Sequence, residues 1–422
     1  MITHIDQEEM IEATFRQIIE QYICPILTGS TIGEVVEPSS KSDLATLQKG
    51  GQVMHLRPER GSDFKISISR PQPFTLPDKK IVNSIIGEIV ENYGKVGDKY
   101  NQRIISYAVE IGICKYISPD NYNLLFDVLD GFDTWATRTY EGRKVTFSIL
   151  IDFEDNKAVS SEYPHIRNIF QEDFCALLSN SVDTCIKISL TGALLEYLKL
   201  TEPANQPFTP QRFNSIANSA AADNKICITL TTNGEILVFQ KNNLVFSKRR
   251  SIWNYFNHEP VLKKIAGGSK YTDEDARKAV YETILDVSFS RTGGCIAFIR
   301  TTSIKKLIEE KIVQKTDLIS EGLSVKSQAI RRLVNGRNFQ NLERVLRKEL
   351  LGIDGATIID YNGKIIAVGA IIKIRAGSTG GGRLAATKTL SEFGTAIKIS
   401  SDGMVKGFKS SNDVLEVLFS FG

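Results

Sequence analysis

Asn362-Gly363 lies between the apolar runs Thr357-Ile358-Ile359-Asp360 and Ile365-Ile366-Ala367-Val368-Gly369-Ala370-Ile371-Ile372, and it is the strongest local constraint in this chain. Both residues of such a pair tolerate positive φ, so the sequence predicts a hairpin turning at Tyr361-Asn362-Gly363-Lys364. Just upstream, Glu349-Leu350-Leu351-Gly352-Ile353 ends an amphipathic helix. Asp354-Gly355-Ala356 therefore falls at the edge of a strand rather than inside one.

A carboxylate placed there can hold a hard divalent cation, because Mg²⁺ takes one or two protein carboxylates and completes its shell with water and phosphate oxygens. Asp-Gly also reads as a plain turn. Downstream, Ala376-Gly377-Ser378-Thr379-Gly380-Gly381-Gly382-Arg383 precedes Leu384-Ala385-Ala386-Thr387, which reads as a helix start. Amide groups bared by glycine, beside a helix N-terminus and an arginine, make an anion site. The plainer alternative is a flexible surface loop. A third short stretch, Ser400-Ser401-Asp402-Gly403, follows.

In order and spacing these pieces resemble the diadenylate cyclase (DAC) domain, which condenses two ATP into cyclic di-AMP. Asp354-Gly355-Ala356 matches the family's metal-binding Asp-Gly-Ala. Gly380-Gly381-Gly382-Arg383-Leu384-Ala385-Ala386 stands where the family has Gly-Thr-Arg-His-Arg-Ala-Ala, and Ser400-Ser401-Asp402-Gly403 where it has Ser-Glu-Glu-Thr-Gly. Thr292-Gly293-Gly294-Cys295-Ile296-Ala297-Phe298-Ile299 is similar to the domain's first strand, so the resemblance covers about residues 275 to 422. It implies that Asp354 holds Mg²⁺ or Mn²⁺ and that Gly380, Gly381, Gly382 and Arg383 hold the β- and γ-phosphates of ATP. It further implies that Gly355, Ala356 and Ile372 pack near the nucleotide, that Ser400, Ser401 and Asp402 close the site, and that two such domains meet face to face in a homo-oligomer.

The chain departs from the family at two points. Gly382, Arg383 and Leu384 replace Arg-His-Arg, leaving one cation of three, and Ser401 or Asp402 stands in place of a glutamate. Lys373, Arg375 and Lys388 are candidates for the missing charge. Two alternatives to the cyclase follow: a nucleotide-binding sensor of the same fold without turnover, and a nucleic-acid-binding regulator.

A chain of 422 residues exceeds what a single core usually supports. With 42% apolar and 24% charged residues it can bury a sizeable core, and a net charge of +3 gives no reason to expect a polyanion partner. No apolar run approaches ~20 residues and the first residues are acidic and polar, so neither a membrane span nor a signal peptide is expected. Six scattered cysteines without a Cys-x-x-Cys are expected to be buried and reduced, in a cytoplasmic protein. The four histidines show no ligand spacing, so zinc is not expected.

The fold class expected is α/β (α+β). A DAC-like domain with a mixed central sheet flanked by helices, residues 271–422, follows a mixed α/β region, residues 1–270, expected to be a sensor or regulatory module. The boundary is placed at Ala266-Gly267-Gly268-Ser269-Lys270. Within the first region the pattern predicts a helix from Glu8 to Tyr22, strands at 53–56 and 64–69, a long helix opening at Asp78, and helices over 102–130 broken at Ser118-Pro119. It further predicts strands at 134–139 and 145–152, helical stretches over 164–199 including Leu194-Leu195-Glu196-Tyr197-Leu198, and a meander from Ile226 to Arg250. Lys248-Arg249-Arg250 beside Trp253 resembles a basic-aromatic nucleic-acid surface, although core contact is the simpler expectation.

Overall fold

The computed structural model describes residues 4–37, 43–93, 101–155, 163–202, 208–268, 272–374, 381–411 and 414–422. The chain divides into two compact units. Unit 1 holds Met1–Phe208 and Arg212–Asn257, and unit 2 holds Thr209–Gln211 and His258–Gly422. The division thus lies upstream of the glycine-rich stretch at 266–270.

Unit 1 opens with the helix His4–Ile18, which runs into a π-helical turn, Ile19–Ile23. An antiparallel sheet follows, of β1 (Thr31–Val36), β2 (Ala45–Leu47), β3 (Val53–Leu56) and β4 (Lys65–Ser69), in the order β1-β4-β3-β2. Met54, Leu56, Ile66 and Ile68 alternate onto one buried face, as a half-buried strand pattern requires. The helices Leu76–Tyr93 and Gln102–Ile117 pack so closely that a Cβ on Gly112 would lie 2.6 Å from the Ile85 Cα. Next comes the helix Tyr122–Ala136, then a short ribbon of β5 (Thr139–Tyr140) and β6 (Arg143–Lys144). A seven-stranded mixed sheet completes the unit. It contains β7 (Phe147–Asp152), β8 (Thr184–Ile188), β9 (Leu194–Lys199), β10 (Lys225–Leu230), β11 (Ile236–Gln240), β12 (Asn243–Arg249) and β13 (Ile252–Tyr255), in the order β13-β12-β11-β10-β7-β8-β9.

Two sequence expectations differ from this. Residues 134–136 continue a helix, because Phe132 and Trp135 bury one helical face against Phe147 and Phe170. Over 164–199 the chain forms β8 and β9 rather than mainly helix, and Leu194-Leu195-Glu196-Tyr197-Leu198 is an edge strand paired with β8.

Unit 2 is built on a six-stranded mixed sheet. Its strands are β14 (Gly294–Ile299), β15 (Ala356–Asp360), β16 (Ile365–Ala370), β17 (Gly394–Ile399), β18 (Val405–Ser411) and β19 (Val414–Phe421), in the order β16-β15-β14-β17-β18-β19. β14 and β15 are parallel, and the other pairs are antiparallel. Every residue of β14 and β15 is buried, as expected for strands covered on both faces. On one face Cys295 and Ala297 pack with Leu390 and Phe393. On the other, Gly294 meets Leu351, and Thr357 Oγ1 donates to the Leu350 carbonyl. The helix Arg344–Gly352 is fixed to the helix Glu274–Ser290 by buried ion pairs, Arg344 with Asp286 at 2.7 Å and Arg347 with Glu282 at 2.8 Å. Arg344 also donates to the Thr209 carbonyl, and Asp286 accepts from the Gln211 amide, which ties residues 209–211 into this unit.

The predicted hairpin joins β15 to β16. Gly363 has φ +82°, and the Asp360 carboxylate accepts from the amides of Asn362 and Lys364 at 2.9 Å each. No helix among the described residues is long and apolar enough to cross a membrane.

Candidate functional site

Sheet direction gathers the candidate residues of unit 2. The parallel strands β14 and β15 begin at Gly294 and Ala356. β16 ends at Ala370 opposite Ala356, and β17 ends at Ile399 opposite Gly294. Asp354-Gly355, residues 369–372 and Ser400–Asp402 therefore share one end of the sheet. Arg383 joins them, because a Cβ on Gly293 would lie 2.5 Å from its Nη1.

Asp354 is exposed immediately ahead of β15, and its carboxylate makes no hydrogen bond or ion pair with the described residues. Its loop is held by a close crossing of backbones. Gly355 (φ +104°) lies against Gly369 (φ +58°), and a Cβ on Gly369 would come within 2.9 Å of the Asp354 carbonyl oxygen. Glycine is required at such a crossing, since a side chain meets backbone in a conformation that L-residues avoid. Ala356 is buried, and Ile372, also buried, forms a bridge with Val313.

Gly380 lies outside the described residues. Gly381 caps the helix Gly382–Leu390, and Gly381, Gly382 and Arg383 are all exposed. The first amides of a helix have no intrahelical partner, and here they adjoin a guanidinium that is hydrogen-bonded to none of the described residues. Next to it, burial pushes the Cys295 thiol up to about 11, against the opposing effects of its hydrogen bond to Thr387 and the charge of Arg383.

Ser400–Gly403 forms the β17–β18 turn. The Asp402 carboxylate accepts from the Met404 amide at 3.0 Å, and Ser288 Oγ donates to the Gly403 carbonyl at 2.6 Å. Ser401 and Asp402 are exposed. Part of the Asp402 carboxylate is thus committed to shaping the turn.

Two residues with no sequence signal complete this end. Lys326 donates to the Gly369 carbonyl at 2.5 Å and pairs with Asp317 at 3.0 Å. The other Asp317 oxygen accepts from the Ile371 amide at 3.1 Å. This ion pair holds the end of β16 on both sides of residue 370. Lys326 lies in the helix Val325–Val334, remote in sequence from residues 369–371, and only the folded topology brings it here.

Among the described residues no three His, Cys, Asp or Glu side chains cluster to hold a metal. The donor set suits Mg²⁺ or Mn²⁺ nonetheless: one uncommitted carboxylate, Asp354, with phosphate and water to complete the shell. The six cysteines are free, five of them buried and Cys24 half-buried. The basic-aromatic stretch of unit 1 is not an open surface, because Lys248 is buried and pairs with Glu110 and Asp133, while Arg249 pairs with Glu235.

No protein-family model matches this chain, and no curated protein matches it. Two solved structures show low-scoring likeness. A hypothetical membrane spanning protein from Bacillus cereus is 15% identical, with 34% of this chain and 63% of that one covered and a TM-score of 0.25. A double mutant of DacA from Staphylococcus aureus is 17% identical, with 35% of this chain and 87% of that one covered and a TM-score of 0.24. The chain spans less than two thirds of the Bacillus protein.

Proposed function

We propose that unit 2 binds ATP at the shared end of its sheet and condenses two ATP into cyclic di-AMP, releasing two pyrophosphates, with the rest of the chain as a sensor or regulatory region. One observation carries this: an uncommitted carboxylate, an exposed glycine-flanked helix start with an arginine, and a polar turn meet where four strands end. Phosphoryl transfer asks a protein mainly for positioning and charge stabilisation, and these are the groups that supply them.

Asp354 would hold Mg²⁺ or Mn²⁺, which when bound polarises a phosphate and makes a nearby hydroxyl more acidic. The amides at Gly381 and Gly382, with Arg383, take the β- and γ-phosphates and stabilise the pyrophosphate as it leaves. Gly355, Ala356 and Ile372 give the base a close-packed floor, and Ser400, Ser401 and Asp402 close the polar side. In a face-to-face homodimer the 3′-oxygen of each ribose attacks the α-phosphorus of the other ATP. The bond to the β-phosphate breaks, and the hydroxyl proton passes to water. A two-fold axis makes both attacks equivalent.

A second reading has a specific observation behind it. Gly382 and Leu384 flank Arg383, leaving one cation where the cyclase motif carries three, which suits a nucleotide-binding sensor without turnover. Incubation of the purified chain with ATP and either metal ion, products being separated by mass, tests both. Cyclic di-AMP that disappears with Asp354→Asn is the expected result. ATP retained on dialysis but unconverted would select the sensor, and no retention at all would remove both.

A further inference from the structure

Unit 1 contains a cavity of about 310 Å³ that plays no part in the chemistry above. Three segments line it, two of them with a structural peculiarity. The first is the π-helical turn, in which the Cys24 amide bonds to the Ile19 carbonyl, and it contributes Gln21 and Tyr22. Single π turns are uncommon and often occur at functional sites. The second is the face of the helix Gln102–Ile117 that bears Gln102, Ser106 and Val109. The third is the β12–β13 turn, where Arg250 (φ 49°) and Ser251 (φ 66°) both adopt the left-handed conformation that Asn-Gly normally occupies. Non-glycine residues held so are over-determined by their surroundings and cluster at ligand sites.

The chemistry of the wall is uniform. Tyr22, Ser106 and Ser251 bring hydroxyls, Gln21 and Gln102 bring amides, and Ile26, Ile252 and Trp253 bring apolar surface. Tyr22 already donates to the Gln102 carbonyl at 3.1 Å and lies 3.3 Å from Ser106 Oγ, so the polar groups converge. Among the described residues no charged side chain lines the cavity. Behind Trp253, Glu110 and Lys248 are paired, and Glu110 also accepts from the Trp253 indole at 3.3 Å. These lining residues offer a charged ligand no counter-charge, and burying a charge without one is costly. The volume stands at the lower end of small-molecule pockets.

We propose that this cavity binds an uncharged ring compound, with an apolar face against the exposed Ile252 and the accessible edge of Trp253, and a hydroxyl- or amide-bearing edge toward Tyr22, Gln102 and Ser106. A hexose and a nucleoside both present this chemistry. The chain has two tryptophans, and Trp135 is buried in the core with its indole donating to the Phe170 carbonyl at 2.8 Å. In Trp135→Phe, Trp253 is therefore the sole fluorescent reporter. D-Glucose and adenosine are titrated separately into that variant and, by calorimetry, into the wild-type chain. The expected result is saturable heat and a shift of Trp253 emission with one of the two, at a Kd below roughly 10 mM. Ser106→Phe, which fills the cavity from a helix position that tolerates the change, should abolish the response while the far-UV spectrum stays the same. Absence of heat with both compounds, or a response undiminished in Ser106→Phe, would overturn the proposal.

Discussion

Gly355 and Gly369 meet across β15 and β16 with no room for a side chain: a Cβ on Gly355 would sit 2.6 Å from the Gly369 carbonyl carbon. Gly355→Ala must therefore push two backbones apart as well as strain a residue at φ +104°. The expected loss is at least about 2 kcal/mol in unit 2. Gly336→Ala, also at positive φ (+73°) but with nothing within 4 Å, separates strain from collision and should cost only about 1 kcal/mol. Urea unfolding of the two variants compares them directly. Equal losses would mean that the crossing is looser than its geometry indicates.

The Arg344–Asp286 pair is almost fully buried, with side chains 2% exposed on both sides. Asp286→Ala would strand a guanidinium and also remove the acceptor for the Gln211 amide. Breaking one partner of a buried pair costs about 3–5 kcal/mol, whereas replacing both with apolar residues of similar size is often close to neutral. Arg344→Met combined with Asp286→Leu should accordingly recover much of the loss in the same denaturation assay.

His55 supplies a pH dependence. Burial, reinforced by the charge of Lys65, lowers its pKa below the usual 6.5. The unfolded chain therefore binds the proton more readily than the folded one. The sign follows: this contribution to stability is fully present above pH ~6.5 and is lost as pH falls toward the folded-state value. Unfolding midpoints followed by Trp135 and Trp253, both in unit 1, should fall between about pH 7 and 5.5, and less steeply in His55→Gln. Identical slopes would exclude His55 as a source.

What was legible in the sequence was local. Asn362-Gly363 sets its own turn, and the stripe in Leu76–Tyr93 announces its buried face, so both elements were readable. Leu194–Lys199 was not. Its leucines and glutamate suit a helix, and only pairing with β8 makes it a strand. Thr134–Thr139 failed in the opposite direction, because burial of Trp135 overrode β-branched propensity. At the candidate site, Asp354 and Ser400–Gly403 were visible as turn signals. Asp317 and Lys326 were not, since they meet Ile371 and Gly369 across 54 and 43 residues of chain. The cavity beside Trp253 was invisible for the same reason, its wall coming from segments remote in sequence.

Lys248, bound by both Glu110 and Asp133 inside unit 1, gives the sharpest test of the electrostatics. Burial raises the pKa of both carboxyls, and Lys248 opposes that shift. Burial lowers Lys248 itself, but the two carboxylates more than offset this and its pKa ends up raised. Lys248→Met removes the opposing charge, leaves the buried Glu110 uncompensated, and should cost about 3–5 kcal/mol at neutral pH. With folded-state pKa values above unfolded ones, the folded chain binds more protons in the window between them. Stability contributed by these carboxyls therefore rises as pH falls toward the unfolded carboxyl range near 4. The variant should regain much of its loss on going from about pH 7 to 5, the opposite direction to the His55 effect. Glu110→Gln in the Lys248→Met background should then restore stability at neutral pH and flatten the profile. A Lys248→Met chain as stable as wild type at neutral pH would show that the two carboxyls are already neutral in the folded protein.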